Sequence, residues 1–163
     1  MQYKVGEQVF HPVYGVGKIV AIKELQINGA EPNLYYEVMI DTTTVWVLID
    51  PDKIGRLRPI TPKSELAGYR RLLKSQPISL DRDFRTRRND LNSRFKEGTL
   101  QATCEIVRDL SARRYLKPLT GYESTLLHRA GEFLIQEWAM VNGLTATEAA
   151  RDVQALLVEG RKE

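Results

Sequence analysis

The spacing of apolar positions changes from strand-like to helical near residue 60. In the first 58 residues, Val5, Val9 and Phe10 lead into Pro12-Val13-Tyr14-Gly15-Val16-Gly17. A run rich in β-branched residues follows over 18–27, then the turn signal Asn28-Gly29, opening a loop that runs through Pro32-Asn33. Residues 34–40 read as the next strand, Asp41-Thr42-Thr43 as a hairpin, and 44–49 as a further strand ended by Asp50-Pro51. Short strands joined by tight turns predict a small, strongly bent barrel of SH3 or Tudor type.

Beyond residue 60 the helical period takes over. Thr61-Pro62 reads as a cap with proline at the first helical position, starting a helix that ends near Ser75. Gln76-Pro77-Ile78-Ser79 breaks it, so 61–80 reads as a connector helix and linker. Asp81 is the expected cap of a second helix to about Lys96, with Gly98 just past its end. A third starts at Thr99, with Leu100, Cys104, Val107, Leu110 and Tyr115 as one buried stripe, and Lys117-Pro118 ends it. Thr120 with Glu123, and Thr145 with Glu148, are capping boxes for two more helices, the fourth stopped by Gly143. Leu126, Ala130, Leu134 and Trp138 belong to the wide apolar face of the fourth, and Ala149, Val153, Leu156 and Leu157 to that of the fifth. Residues 160–163 are expected to fray. The class is α+β: an N-terminal β-domain over 1–60, then an all-α domain over 61–163.

Composition narrows the function. Of 163 residues, 42% are hydrophobic and 28% charged, as in an ordered globular protein. No stretch approaches about 18 consecutive apolar residues, and the first residues lack the apolar core of a secretory signal, so a cytoplasmic location is expected. Cys104 is the one cysteine, which excludes an internal disulfide and a thiolate metal site of its own. His11 precedes proline in a turn, and His128 lies among apolar residues, neither at metal-ligand spacing. No P-loop, dinucleotide fingerprint or nucleophile–base pair is present, so no catalytic residue, metal or cofactor is expected, and function is expected to lie in binding.

Charge is unevenly placed. Residues 82–117 carry ten Lys/Arg against five Asp/Glu, whereas 118–163 carry four against seven, within a chain of net charge +3. The basic middle suits either a polyanion partner or a solvated surface. Within it, Phe84 stands among Arg82, Arg85, Arg87 and Arg88, while Leu91 and Phe95 anchor the far end of that helix. Phe84 therefore reads either as a nucleic-acid tip, with arginines on phosphates, or as a residue packed on the connector. The helix N-terminus adds N–H groups for a phosphate, and Arg113 and Arg114 widen the basic face. In the strand over 44–49, Val45, Trp46 and Val47 cannot share a face, so either both faces are buried or one is a contact surface.

The opening Lys4-Val5-Gly6-Glu7-Gln8-Val9-Phe10-His11-Pro12-Val13-Tyr14-Gly15-Val16-Gly17 resembles that of bacterial CarD/CdnL transcription regulators, and the β-module resembles the RNA-polymerase-interacting domain of transcription-repair coupling factor. The segment 84–98, followed by Glu105-Ile106-Val107-Arg108-Asp109-Leu110 with its "VRDL", resembles the CarD/CdnL C-terminal domain. The resemblance implies a monomeric regulator that docks on the RNA polymerase β subunit by extending a sheet, with Leu25, Ile27, Thr44, Val45, Trp46 and Val47 as contact residues. It implies that Phe84, Arg85, Arg87, Arg88 and Asn89 meet the minor groove of promoter DNA at the upstream edge of the bubble and stabilise the open complex. Phe84 stands where the family typically carries Trp, and Leu25 and Trp46 where some members carry Arg. A polymerase-docking adaptor with little DNA contact is the second reading.

Overall fold

Strand β2, Gly15–Leu25, is long enough to form the spine of a sheet, and a register shift between Ile19 and Ala21 bends it. It pairs antiparallel with β1, Gln8–His11, and with β3, Asn33–Ile40. A two-residue hairpin with Asp41 in the left-handed region (φ 57°) leads to β4, Thr43–Leu48, paired with β3. The short β5, Arg58–Pro59, pairs with β1, so the sheet order is β4-β3-β2-β1-β5. This computed structural model describes residues 2–50 and 57–162. Pro51, expected to end the last strand, and Glu163 of the tail lie outside them.

The sheet is open, where the sequence suggested a closed barrel. Among the described residues β4 and β5 do not pair. Closure requires matched edges, and β5 is two residues long, one of them a proline with no N–H to donate. One face of the sheet is buried, with Val9, Ile19, Tyr36, Val38, Ile40 and Val47 packed under Tyr3. Gly17 is required where β3 side chains cross over β2: a Cβ there would lie 2.6 Å from Ile40 Cγ1 and 2.9 Å from Val38 Cγ1. The Gly15-Val16-Gly17 segment is thus a feature of strand packing.

The chain divides into two units, Met1–Ile60 and Thr61–Glu163. The second begins differently from expectation. The hydroxyl and backbone N–H of Thr61 both donate to Glu137 Oε2, at 2.8 and 2.9 Å, so Thr61 holds a buried carboxylate and caps no helix. A short 3-10 turn, Lys63–Glu65, precedes α1, Leu66–Lys74. Helix α2, Phe84–Lys96, is capped by Asp83, two residues after the predicted Asp81, because Asp83 accepts from Thr86 N–H while Asp81 accepts from Asp83 N–H.

Helix α3 is Leu100–Leu116, α4 Gly121–Asn142 and α5 Ala146–Arg161. Both predicted capping boxes are present, and Gly143 ends α4 at φ 65°. Leu73, Leu91, Cys104, Leu110, Leu134 and Trp138 are among the core residues of this unit. Tyr115 leaves the predicted stripe and is exposed near the end of α3. The tail expected to fray is helical through Arg161, because Gly160 presses against α1. A Cβ on Gly160 would lie 2.6 Å from the Lys74 carbonyl oxygen and 2.8 Å from that of Ser75.

Candidate functional site

The β4 strand has two unlike faces. Val45 and Val47 turn toward the core; Thr44, Trp46 and Leu48 turn away from it. Trp46 is 38% exposed, with Lys23 Nζ 5.6 Å from its ring centre and Lys23 also 3.6 Å from Glu37. Half-buried Leu25 ends β2 in register with Asn33, on the Trp46 side of the sheet, and Ile27 is exposed in the loop beyond. Of the six residues expected at this contact, Leu25, Ile27, Thr44 and Trp46 present side chains. Val45 and Val47 offer only backbone. Strand β4 is also an edge, with β3 on one side and no strand on the other among the described residues. An unpaired edge of this kind receives a strand from another chain by main-chain hydrogen bonding.

Helix α2 is the second candidate. Its anchors are Leu91, fully buried, and Phe95, stacked on Phe133 with ring centres 5.9 Å apart. At the other end Phe84 is 47% exposed, flanked by exposed Arg82, Arg85, Arg88 and Asn89. Packing on the connector does not bury it. Arg87 departs from expectation. Its side chain turns inward: Nε donates to Glu123 Oε2 at 2.6 Å, and Nη1 donates to the carbonyl of Asp81 at 3.1 Å. It occupies the position one turn before Leu91 on the buried stripe, so its charge belongs to the fold.

The N-terminus of α2 is likewise occupied. The Asp83 carboxylate takes the Thr86 N–H at 2.9 Å and its hydroxyl at 2.8 Å, and these bonds, the backbone one first, hold its pKa below the ordinary value. The helix N–H groups are therefore less open to a phosphate than the sequence suggested.

Two aromatic–basic contacts on α4 escaped the sequence reading. The Arg88 guanidinium lies 4.6 Å from the ring centre of Tyr122, and that of Arg129 lies 5.1 Å from Phe95. Tyr122 and Arg129 are seven residues apart, two turns on one helix face, and that spacing was the available signal. Arg113 and Arg114, the reserve candidates, diverge: Arg113 borders a groove with Arg82, whereas Arg114 borders a hollow beside His128. His128 is exposed, 3.2 Å from Glu132, beside a hollow that Leu119, Leu127 and Ile135 also line. His11 is buried, with Nδ1 accepting from Val13 N–H. Cys104 is buried in the core.

Two acid-sensitive links tie the helices. Burial pushes Glu123 upward, but bonds from Thr120 N–H and Arg87, with the charge of Arg87, outweigh it and hold its pKa below the ordinary value. Asp152 is held low chiefly by Arg70, at 2.8 and 3.2 Å, against burial, with help from Trp138 Nε1 at 2.8 Å. A carboxylate depressed in the folded state adds stability above its unfolded pKa and loses it as pH falls through the folded one. Thermal midpoints should therefore be nearly flat from neutral pH down to about 5 and drop below about 4. A Glu123→Gln chain should start lower and lose less on acidification. Melting curves across that range check this, and equal acid slopes for the two chains would count against it.

Family models match both units. Residues 3–61 match the CarD-like/TRCF RID domain, and residues 70–154 match the CarD C-terminal domain. The chain belongs to the CarD family. Among its relatives is the protein named "Putative transcription factor YdeB" of Bacillus subtilis (strain 168). The two are 28% identical over 145 residues, which cover 88% of this chain and 94% of that one. Membership places the chain among transcription regulators that interact with RNA polymerase. Among the described residues no helix is long and apolar enough to cross a membrane.

The "VRDL" segment of this CarD chain has a structural reason. Val107 and Leu110 are core residues, while Arg108 and Asp109 are buried polar neighbours. Arg108 donates to Asp109 at 2.8 and 3.3 Å and to Ser75 Oγ at 2.8 Å, and Asp109 also accepts from Ile78 N–H at 3.0 Å. The segment clasps the linker that leads into α2, and so sets where Phe84 emerges.

Proposed function

We propose that this CarD-family chain docks on the β subunit of RNA polymerase by adding β4 to a sheet there. The first turn of α2 then rests against promoter DNA at the upstream edge of the bubble and stabilises the open complex. The chain acts as a monomer in the cytoplasm, at the nucleoid, through polymerase, with no cofactor. The observation that carries the DNA part is Phe84, half exposed at a helix start among exposed Arg82, Arg85 and Arg88. An apolar ring inserted at a step offsets part of the unstacking cost, about a few kcal/mol, and does so best where the duplex is already parted. Such a contact shifts the closed–open equilibrium more than it shifts recruitment.

The test is open-complex lifetime and polymerase affinity measured on the same variants. Phe84→Ala should shorten the lifetime about tenfold, equivalent to ~1.4 kcal/mol, with recruitment and melting temperature near the parent. Phe84→Trp should preserve or lengthen it. An unchanged lifetime for Phe84→Ala sinks the wedge.

A second reading, a polymerase-docking adaptor with little DNA contact, draws on the internal pairing of Arg87 and the occupied α2 N-terminus. Forked DNA separates the two readings. Replacing Arg82, Arg85 and Arg88 by Ala should flatten the salt dependence of full-chain binding by about 0.9 per lost phosphate contact, whereas an adaptor shows no change.

A further inference from the structure

A groove of about 680 Å³ lies between the linker after α1 and the C-terminal ends of α3 and α5. Ile78, Tyr115 and Leu116 border it, each more than half exposed, with Leu116 at 82%. Apolar side chains this exposed on one groove mark a surface used for association.

The charge around them has one sign. Arg82, Arg113, Lys117 and Arg161 line the groove, and Asp109 is the acidic residue among the lining. The Asp109 carboxylate is already bonded to Arg108 and to Ile78 N–H, so it neutralises none of the four. Arg161 lies over the Tyr115 ring at 4.4 Å, and its Nη2 is 3.4 Å from the Tyr115 hydroxyl. Arg113 Nε is buried and has no hydrogen-bond partner, a donor that is costly to leave unmade.

We infer that this groove docks an acidic peptide segment of another protein, its apolar side chains against Ile78, Tyr115 and Leu116 and its carboxylates on Arg113, Lys117 and Arg161. Charge complementarity selects the occupant. Carboxylates satisfy the cationic rim, and Leu- or Phe-type side chains cover the exposed apolar wall. A nucleic-acid backbone would meet the cations and leave that wall in water. The docking surface belongs wholly to the helical unit, and its test does not depend on the DNA contact of Phe84.

The experiment uses the full chain and a labelled peptide of repeated Glu-Leu-Asp-Phe. Fluorescence anisotropy gives affinity, and amide resonances give location. The peptide should bind and shift Ile78, Tyr115, Leu116 and Arg161. Versions with Gln and Asn in place of the acids, or with Ala in place of Leu and Phe, should bind at least about tenfold more weakly. Two variants, Leu116→Ser and the pair Arg113→Gln with Lys117→Gln, should lose affinity to a similar extent. Leu116 is largely in solvent, so the first keeps the test valid if the second fails to fold. Absence of binding by the parent chain, equal binding of the three peptides, unchanged affinity in Leu116→Ser, or displacement of the resonance shifts to another surface would each overturn the inference. So would forked DNA shifting the groove resonances when the peptide does not.

Discussion

Asp109→Ala should lower the melting temperature of the helical unit more than any single exposed substitution. The carboxylate is fully buried and accepts from Arg108 and from Ile78 N–H, with Arg94 3.6 Å away. Removing it leaves a buried guanidinium without its anion and a backbone donor without an acceptor. Breaking a buried pair from one side costs about 3–5 kcal/mol, a large part of the ~5–15 kcal/mol that holds a domain together. For a unit of this size the midpoint should fall by on the order of 15 °C. Asp109→Asn should lie between, since it retains an acceptor and loses the charge. The double variant Arg108→Met, Asp109→Leu should recover part of the loss, because a removed pair leaves no orphan charge. It should not recover all of it, because Ile78 N–H still lacks its acceptor. Calorimetry on the three chains decides. A midpoint for Asp109→Ala within a couple of degrees of the parent would show that the clasp contributes little.

Trp46→Asp should abolish most binding to RNA polymerase while the β-unit stays folded. The indole lies on the outward side of the edge strand, away from Val45 and Val47. The fold therefore loses strand propensity and the contact of the ring with Lys23, together about 1–2 kcal/mol. The complex would instead have to bury a carboxylate where it buried a ring. Large aromatic anchors at interfaces contribute about 2 kcal/mol or more, and an unpaired buried charge adds to the loss, so affinity should fall by on the order of 100-fold. Val47→Asp is the contrast: Val47 is a core residue, and its loss should unfold the unit itself. Affinity for purified polymerase, read beside the circular dichroism of each variant, separates the effects. Full binding by a folded Trp46→Asp chain would move the contact away from β4.

Much of the fold was legible because its signals are local. Thr120 and Glu123, or Thr145 and Glu148, are three residues apart, and each box closes on its own helix turn whatever the rest of the chain does. Gly143 stops α4 for the same kind of reason. Strand positions were legible from β-branched runs set between turn signals. The open edge was not, because closure depends on whether distant strands meet. Leu91 and Phe95 announced the buried end of α2, whereas Phe84 stayed open between a nucleic-acid tip and packing on the connector until the structure placed it in solvent. Arg87 was misread: beside Arg85 and Arg88 it looks like one more surface cation, and its partner Glu123 lies 36 residues on.

The sequence by itself determined the α+β order, most helix ends and the family, since caps, turns and hydrophobic period act over one or two turns of chain. Tertiary structure alone decided which charged groups face water. Thr61 meets Glu137 across 76 residues, Asp109 meets Ile78 across 31, and Gly160 meets the end of α1 from the other end of the unit. Desolvating a charge is costly unless a partner arrives, and the partner arrives only when the helices pack.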